Sequence, residues 1–225
     1  MAAVEIRVAS AAELHRVREP VVDDVLISLC EPTRPALVLG SRQPVTDELV
    51  VRCERASLDV VRRRSGGGAV LVHPTSSLWI DVYIAAGGPC WDSEPVATMR
   101  RVGSWWKQVL DRELRGSREL RLAVGNDDDA GRGAMVCFAG RVCGEVLEGD
   151  AKLVGCSQRR SRTMIRVQCQ VHSVDPTDQI LALLGVDEPS MFAPGGIRRP
   201  SVLGVNLDHA DRVRIASSLA ESAAN

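Results

Sequence analysis

Three consecutive glycines, Gly66, Gly67 and Gly68, follow an arginine-rich run and form the first candidate site. Glycine adopts positive φ readily and lets a ligand approach the backbone closely, because it has no Cβ. The string RRRSGGGAV (62–70) therefore predicts a turn with exposed backbone N–H groups beside three arginines. Such a turn suits an anionic group, for example a carboxylate or an acyl phosphate. A glycine-rich hairpin with solvated arginines would have the same composition.

The segments on either side of the loop decide which kind of turn it is. The arginines are preceded by LDVV (58–61), and the glycines are followed by AVLV (69–72). Both segments are rich in residues typical of strands. The glycines therefore join two strands. The glycine-rich phosphate loops of nucleotide-binding proteins lead into a helix instead, so this loop is of another kind.

Lys152 is the second candidate, and it begins the strand-like run KLVGCSQRR (152–160). Strand alternation places Lys152, Val154 and Cys156 on one face. A lysine among apolar neighbours can be held near a ligand, where its point charge binds an acyl carbonyl or the phosphate of an acyl-adenylate. The alternative is a solvated lysine at the start of a strand.

Short apolar runs around these residues predict the elements that position them. VLISLCE (25–31) and ALVLGS (36–41) flank a Pro-containing turn and predict a β-hairpin. SLWIDVYI (77–84) is apolar on both faces apart from one aspartate, which predicts a central strand. Helices are predicted, from apolar residues at helical spacing, over 46–57, from Ser93 to about Gly116, over 175–185 and over 208–223.

Strands grouped around helices without a regular βαβ rhythm favour an α+β, or mixed α/β, fold. The 225 residues predict one domain, 1–225, with its core between about residues 20 and 220. A hydrophobic fraction of 45% and a charged fraction of 25% are those of a soluble globular protein. A net charge of −1 without a basic half gives no nucleic-acid footprint, and no apolar run is long enough to predict a membrane span.

Seven cysteines are scattered along the chain, an odd number without a CxxC pair. The N-terminal residues lack the apolar core of a signal peptide. Free thiols in a reducing cytoplasm are therefore expected, and no metal site is predicted from the cysteine spacing.

Taken together, three motifs resemble the lipoate–protein ligase A family of the biotin/lipoate ligase and octanoyltransferase superfamily. They are PALVLGSRQ (35–43), RRRSGGGAV (62–70) and KLVGCSQRR (152–160), in the order and near the spacing of that family. The resemblance covers about residues 35–172. It implies the biotin/lipoate ligase catalytic-domain fold, a mixed β-sheet flanked by helices. No C-terminal accessory domain of the larger ligases is expected, and the biotin ligase motif GRGRxGRxW is absent from the sequence.

The same resemblance implies roles for individual residues. Lys152 is the implied catalytic residue, which stabilises charge at the acyl carbonyl during transfer. The residues implied to bind the acyl substrate are Arg63, Ser65, Gly66, Gly67, Gly68, Ala69, Val70, Leu71, Gly155 and Ser157.

Cys137 is the second implied catalytic residue. It begins the string CFAG, 15 residues before Lys152. The cysteine-dependent octanoyltransferases of the superfamily are similar, with a Cys–Phe pair at this spacing, and their cysteine takes octanoate from acyl carrier protein as a thioester. A thiolate near Lys152 would be a competent nucleophile. The alternative is a buried, inert cysteine on the apolar run AMVCFA (134–139).

One departure from the family concerns the cofactor. Typical ligases carry Asn–Asp seven to nine residues before the lysine, where this chain has Gly144–Glu145, so Glu145 alone could replace the aspartate. The acidic run Asp127–Asp129 is either a solvated loop or a Mg²⁺ site. His172 is either a base or a structural histidine. ATP and Mg²⁺ are implied for a ligase, with a lipoyl-adenylate intermediate, and no cofactor for a cysteine-dependent transferase.

The resemblance thus implies an enzyme of protein lipoylation, a lipoate–protein ligase-like acyltransferase. Its expected partners are lipoyl-acceptor domains of 2-oxoacid dehydrogenases or the glycine cleavage H protein, and in the transferase case acyl carrier protein. Two alternatives stay open: a cysteine-dependent octanoyltransferase, and a non-catalytic lipoyl- or acyl-binding partner or degenerate paralogue.

Overall fold

The computed structural model describes residues 2–16, 18, 20–114, 118–125, 135–138, 140–186 and 202–224. Within these residues two β-sheets lie between helices. The strands are β1 Ala3–Ala9, β2 Val25–Pro32, β3 Ala36–Leu39, β4 Asp59–Arg62, β5 Val70–Val72, β6 Ser77–Ala85, β7 Leu120–Leu122, β8 Val146–Glu148, β9 Ala151–Arg160 and β10 Met164–His172. The helices are α1 Ala11–His15, α2 Asp47–Arg55, α3 Pro95–Glu113, α4 Thr177–Leu184 and α5 His209–Ala224.

The large sheet has seven strands in the order β1-β2-β6-β10-β9-β8-β7, and its pairs are antiparallel except for the parallel pair β1–β2. Every residue of β6 is buried, which confirms the prediction of an interior strand from its nearly continuous apolar run. The small sheet has the order β4-β3-β5, with β3 parallel to β4 and antiparallel to β5.

Three apolar clusters connect the layers. Helices α3 and α5 pack on one face of the large sheet, where Trp106 and Leu219 are fully buried. The small sheet packs on the opposite face through residues such as Val38 and Trp79. Helices α2 and α4 then cover the outer side of the small sheet. The α+β fold with a mixed sheet flanked by helices is therefore confirmed.

The predicted hairpin between β2 and β3 is wrong, because the two strands belong to different sheets. Strand β2 already pairs with β1 on one side and with β6 on the other, which leaves no free edge for β3. The glycine loop is not a hairpin either, since β4 and β5 lie on opposite sides of β3. The loop therefore crosses one end of the small sheet.

The helix predictions hold with small shifts. Helix α2 begins after Thr46, whose side chain accepts a hydrogen bond from the N–H of Leu49 at 3.2 Å. Helix α3 begins at Pro95 with Glu94 as its N-cap, one residue after the predicted Ser93 cap. Val96, an apolar residue in the first turn of α3, is 48% exposed. None of the described helices combines the length and the apolar character needed to cross a membrane.

Candidate active site

A cleft of about 590 Å³ lies between the glycine loop, the first turn of α3, the segment 137–145 and strand β9. This volume falls within the roughly 300–1,000 Å³ typical of small-molecule sites. Its walls combine apolar side chains with backbone and polar groups. The lining residues are Arg42, Gln43, Gly66, Gly67, Gly68, Pro95, Val96, Met99, Cys137, Gly140, Arg141, Val142, Cys143, Glu145, Cys156, Ser157 and Gln158.

The three glycines of the loop differ in whether the backbone around them would accept a side chain. Gly67 has φ of +91°, which L-residues with a Cβ rarely adopt. A Cβ on Gly68 would come within 2.5 Å of the backbone nitrogen of Val136. A Cβ on Gly66, in contrast, would meet no atom within 4 Å. The loop therefore needs glycine at 67 and 68 for its own geometry, whereas Gly66 faces open space in the cleft wall.

Cys137 reaches the glycine loop through backbone pairing. The N–H of Ala69 donates to the carbonyl of Met135 at 2.7 Å, and the N–H of Cys137 donates to the carbonyl of Ala69 at 2.9 Å. Gln43 supports the same corner, because its side chain donates to the carbonyl of Met135 at 3.0 Å and accepts from the N–H of Gly40 at 2.8 Å. The half-buried Cys137 thus stands beside the loop in the cleft wall.

Arg63 is the cation beside this thiol. Its guanidinium Nη2 lies 3.5 Å from Cys137 Sγ and donates to the carbonyls of Gly66 at 2.9 Å and Gly68 at 3.1 Å. The residue is only 5% exposed. The two loop carbonyls therefore fix the guanidinium in front of the sulfur, to which it also donates.

Lys152 lies behind this corner and is not among the residues that line the cleft. Its Nζ is 2.8 Å from Glu145 Oε2 and donates to the carbonyl of Cys137 at 3.2 Å and to the carbonyl of Gly140. It also lies 5.2 Å from the centroid of the Phe138 ring. The lysine thus holds the segment that carries Cys137 and points away from the open cleft. Its implied contact with the acyl carbonyl stays a prediction.

Glu145 takes the place expected of the missing aspartate and is fully occupied by the protein. Oε1 accepts from the N–H of Cys156 at 3.1 Å, and Oε2 accepts from the N–H of Val142 at 2.8 Å as well as from Lys152. Burial raises the pKa of the Glu145 carboxyl, and the lysine opposes that rise. It is the one carboxylate in the lining of the described cleft.

This arrangement gives a poor fit for a nucleotide-bound Mg²⁺. Such an ion takes one or two carboxylates in addition to phosphate oxygens, and both oxygens of Glu145 already accept hydrogen bonds. No group of three metal-ligating side chains occurs in the described part of the chain. The predicted acidic run Asp127–Asp129 lies outside the described residues.

A polar chain runs inward from the loop. The hydroxyl of Ser65 lies 3.3 Å from that of Ser157 and donates to Gln168 Oε1 at 3.2 Å, and Gln168 Nε2 is 3.2 Å from His15 Nδ1. Burial lowers the pKa of His15 well below its usual value, so its ring is neutral where it stacks on Trp79. The two predicted serines are thus brought together.

This chain borders an inner cavity of about 30 Å³, roughly the volume of one water molecule in the liquid. Val70 and Gly155, both predicted to bind substrate, line this cavity and not the main cleft. A Cβ on Gly155 would lie 2.7 Å from the Phe138 ring, so glycine at this position lets that ring pack. Cys137 lines both spaces and connects them.

Leu71 and His172 are not brought to the cleft. Both line a separate pocket of about 270 Å³ under α4. Burial lowers the pKa of His172 to about 3, so the ring is neutral, and it packs edge-on against Phe138 at 4.7 Å between centroids. His172 is therefore a buried structural histidine and not a base in the cleft.

Sequence reasoning did not assign several lining residues to the site. Arg42 and Gln43 lie within the first resembling motif, PALVLGSRQ, which was a usable signal. Pro95, Val96 and Met99 come from α3, which was predicted only as a core helix. Only the exposure of Val96 distinguishes it from a core position, and no sequence pattern indicates that exposure.

Neither a protein-family model nor a curated protein sequence matches the chain. Solved structures do share its fold. A Thermoplasma acidophilum protein described as a lipoate protein ligase with bound lipoic acid superimposes with a TM-score of 0.60 at 14% identity, over 88% of this chain and 72% of its own. A bipartite lipoate protein ligase with its E2 lipoyl domain, also from Thermoplasma acidophilum, gives 0.59 at 16% identity over 88% and 71%.

A third similar structure is a lipoate-protein ligase A bound with ATP, with a TM-score of 0.54 at 14% identity over 88% of this chain and 81% of its own. At such identities the likeness concerns the fold. It agrees with the fold that the three sequence motifs predicted. This chain therefore shares the α+β fold of these lipoate-protein ligase structures.

Proposed function

We propose that this chain is an acyltransferase of protein lipoylation. It binds an octanoyl or lipoyl group in the 590 Å³ cleft and transfers it to a lysine of an acceptor domain of a 2-oxoacid dehydrogenase or of the glycine cleavage H protein. One observation carries the proposal: the sulfur of Cys137, in the cleft wall beside the glycine loop, lies 3.5 Å from the guanidinium of Arg63. A nucleophile, a cation beside it and an exposed glycine wall are the parts that such a transfer needs.

The first half-reaction is a thioester exchange. The thiolate of Cys137 attacks the carbonyl carbon of an octanoyl thioester on acyl carrier protein. A new S–C bond forms on Cys137, the bond to the carrier sulfur breaks, and the carrier leaves as a thiolate that takes a proton from solvent. The guanidinium of Arg63 donates to this sulfur at 3.5 Å and keeps it beside the glycine loop before this step.

The second half-reaction forms the product amide. The neutral ε-amine of the acceptor lysine attacks the thioester carbonyl on Cys137, the C–S bond breaks, and the Cys137 thiolate leaves while the amine proton passes to solvent. The cycle therefore regenerates the enzyme without an external energy source. The inner cavity of about 30 Å³ is much smaller than an eight-carbon chain, so the acyl chain is expected in the main cleft.

Lys152 has a positioning role in this proposal. By holding the carbonyls of Cys137 and Gly140, and by pairing with Glu145, it fixes the backbone that carries the nucleophile. Its Nζ pairs with Glu145 and donates to these two carbonyls within the protein itself. The role in direct contact with the acyl carbonyl that the family resemblance implies stays a prediction.

A second candidate is an ATP-dependent lipoate ligase, in which lipoate is activated as lipoyl-adenylate before transfer. The motif RRRSGGGAV and the fold shared with an ATP-bound lipoate-protein ligase A support it. In that reaction Cys137 would not form a covalent bond. A non-catalytic acyl-binding protein is the third possibility, and it predicts binding without transfer.

The test is intact-protein mass spectrometry of the full chain with octanoyl-acyl carrier protein, and in parallel with ATP, Mg²⁺ and lipoate. We expect an octanoyl adduct on Cys137 that hydroxylamine removes. The variant Cys137→Ser should lose both the adduct and the transfer activity. Adenylate formation and full transfer by Cys137→Ser would support the ligase instead. No adduct, no adenylate and no transfer would leave acyl binding alone.

We also infer that the protein works in the cytoplasm, as the sequence predicted. All seven cysteines are free thiols, and six of them are buried. A catalytic thiol and free buried cysteines fit a reducing compartment.

A further inference from the structure

A second cleft, of about 600 Å³, lies at the arginine run that precedes the glycine loop and is lined by one serine and four arginines. They are Ser41, Arg62, Arg63, Arg64 and Arg159. We call it the arginine cleft. The molecule as a whole has a net charge of −1, so this positive surface is a local feature and not a consequence of composition.

Among the described residues, no carboxylate lines the arginine cleft. Other arginines of the described chain are ion-paired, such as Arg166 with Asp81 and Arg118 with Glu148. Among the described residues, no ion pair includes Arg62, Arg64 or Arg159. Like charges held together in this way repel each other, so an anionic partner would bind here favourably.

Two of the arginines also keep buried donors without an acceptor. Nε of Arg63 and Nη1 of Arg159 are buried and have no hydrogen-bond partner in the described structure. A buried donor without an acceptor is unfavourable, so an acceptor that reached it would be bound. The guanidinium group is suited to carboxylates, which it binds through paired N–H donors.

The number of charges indicates the class of partner. A single phosphate carries a charge of about −1.5 to −2, whereas four arginines line this cleft of about 600 Å³. Arg62 and Arg64 are exposed, so they can meet groups on a large partner. Several carboxylates on a protein surface match this arrangement better than one small anion.

The position of the arginine cleft indicates which partner protein binds there. Arg63 lines the arginine cleft and also lies 3.5 Å from Cys137 Sγ, so a partner bound there is next to the candidate nucleophile. Ligase and transferase mechanisms differ in their acyl donor, but both require a protein that presents the acceptor lysine. The acceptor domain is therefore the partner common to both.

We propose that the arginine cleft is the docking site of the acyl-acceptor domain, and that it binds an acidic surface of that domain beside its acceptor lysine. This inference rests on the proposed function. The charges steer the domain to the cleft and orient its lysine towards the acyl group. Binding should therefore weaken as ionic strength rises.

The experiment measures binding of a recombinant lipoyl domain of a 2-oxoacid dehydrogenase, unmodified at its lysine, to the full chain by calorimetry. The test variants are Arg62→Glu/Arg64→Glu and Arg159→Glu. The matched control is Arg55→Glu/Arg112→Glu, which reverses two exposed arginines outside the cleft. A parallel titration uses inorganic phosphate in place of the domain.

In the cleft variants we expect Kd for the domain to rise about tenfold or more at low ionic strength, and to depend less on the salt concentration than in the wild type. In the control variant Kd should change less than about twofold. Replacing acidic residues near the acceptor lysine by lysine should partly restore binding to Arg62→Glu/Arg64→Glu. Unchanged affinity in the cleft variants, an equal loss in the control, or binding of phosphate but not of the domain would overturn the inference.

A covalent readout separates this inference from the proposed function. Arg62→Glu/Arg64→Glu should still form the octanoyl adduct on Cys137, because that step does not involve the acceptor domain. A wild-type chain that binds the domain through the cleft but never carries or transfers an acyl group would contradict the proposed function and leave the docking site in place. Normal transfer with an unchanged KM for the domain in the cleft variants would contradict the docking site and leave the proposed function in place.

Discussion

Lys152 Nζ lies 2.8 Å from Glu145 Oε2, and the two side chains are only 2% and 1% exposed. A buried ion pair of this kind is costly to break, because removing one partner leaves an uncompensated charge in the interior. The pair therefore links Glu145, which lies just before β8, to Lys152 in β9. Because Lys152 also donates to the carbonyl of Cys137, the pair helps to hold the backbone that carries this cysteine. Its energetic role must be separated from any catalytic one.

Lys152→Ala should lower the free energy of unfolding by about 3–5 kcal/mol, because it strands the Glu145 carboxylate. The double variant Lys152→Met/Glu145→Gln should recover most of that loss, since it replaces both charges. Urea denaturation of the single and double variants checks this. Equal stability of wild type and Lys152→Ala would mean that the pair contributes nothing to the fold.

The recovered double variant then tests the role of Lys152 in transfer. A positioning role predicts that Cys137 is still acylated, with a lower kcat, because other contacts still hold the segment. A role in direct contact with the acyl carbonyl predicts a loss of about 10²–10³-fold in rate, as for other preorganised donors. Single-turnover acylation kinetics distinguish the two.

Gly66→Val should fold with the stability of the wild type and lose binding of octanoyl or lipoyl compounds. A Cβ at Gly66 meets nothing within 4 Å, so the side chain would extend into the cleft space. Calorimetric titration with lipoate measures the loss. Unchanged affinity in the folded variant would show that the ligand does not pass this part of the loop.

Gly68→Val is the contrasting variant in the same loop. Its Cβ would be 2.5 Å from the backbone of Val136, so the segment that carries Cys137 must shift. We expect a loss of at least about 1–3 kcal/mol of stability. Thermal denaturation checks it, and a melting temperature equal to that of Gly66→Val would contradict the contact.

Arg63→Gln should slow alkylation of Cys137 by iodoacetamide by about tenfold, because it removes the guanidinium that donates to the sulfur at 3.5 Å and to the carbonyls of Gly66 and Gly68. Arg64→Gln removes a neighbouring exposed charge and serves as the control. A similar decrease in both variants would mean that the general positive field, and not Arg63, activates the thiol.

His172 predicts a pH dependence of stability. Burial lowers its pKa from 6.5 to about 3, so the unfolded chain binds a proton in this range that the folded chain does not. The contribution of the neutral His172 ring to the free energy of unfolding is complete above about pH 6.5, and it is lost as the pH falls towards 3. At pH 5 the loss is about 2 kcal/mol.

His172→Phe keeps a ring against Phe138 and removes the titration. Urea denaturation between pH 5 and pH 7.5 should therefore show a smaller loss on acidification than in the wild type. His209→Gln, at an exposed position, is the control and should keep the wild-type dependence. An unchanged pH dependence in His172→Phe would contradict the neutral buried ring.

Local patterns in the sequence determined the elements and the candidate residues. Alternation and apolar runs predicted β6 and β9, helical spacing predicted α2, α3, α4 and α5, and the motifs singled out Arg63, Cys137 and Lys152. These predictions hold because strand and helix periods are set by neighbouring residues along the chain.

Only the tertiary structure decided which elements meet and which groups pair. The periodicity of β2 and β3 was correct, but a strand pattern does not say which sheet it joins, and the two strands are in different sheets. Arg63 and Cys137 are 74 residues apart, and Lys152 faces Glu145 and not the cleft, because β8, β9 and the glycine loop converge at one corner. Such pairings depend on long-range packing and burial, which no local spacing encodes.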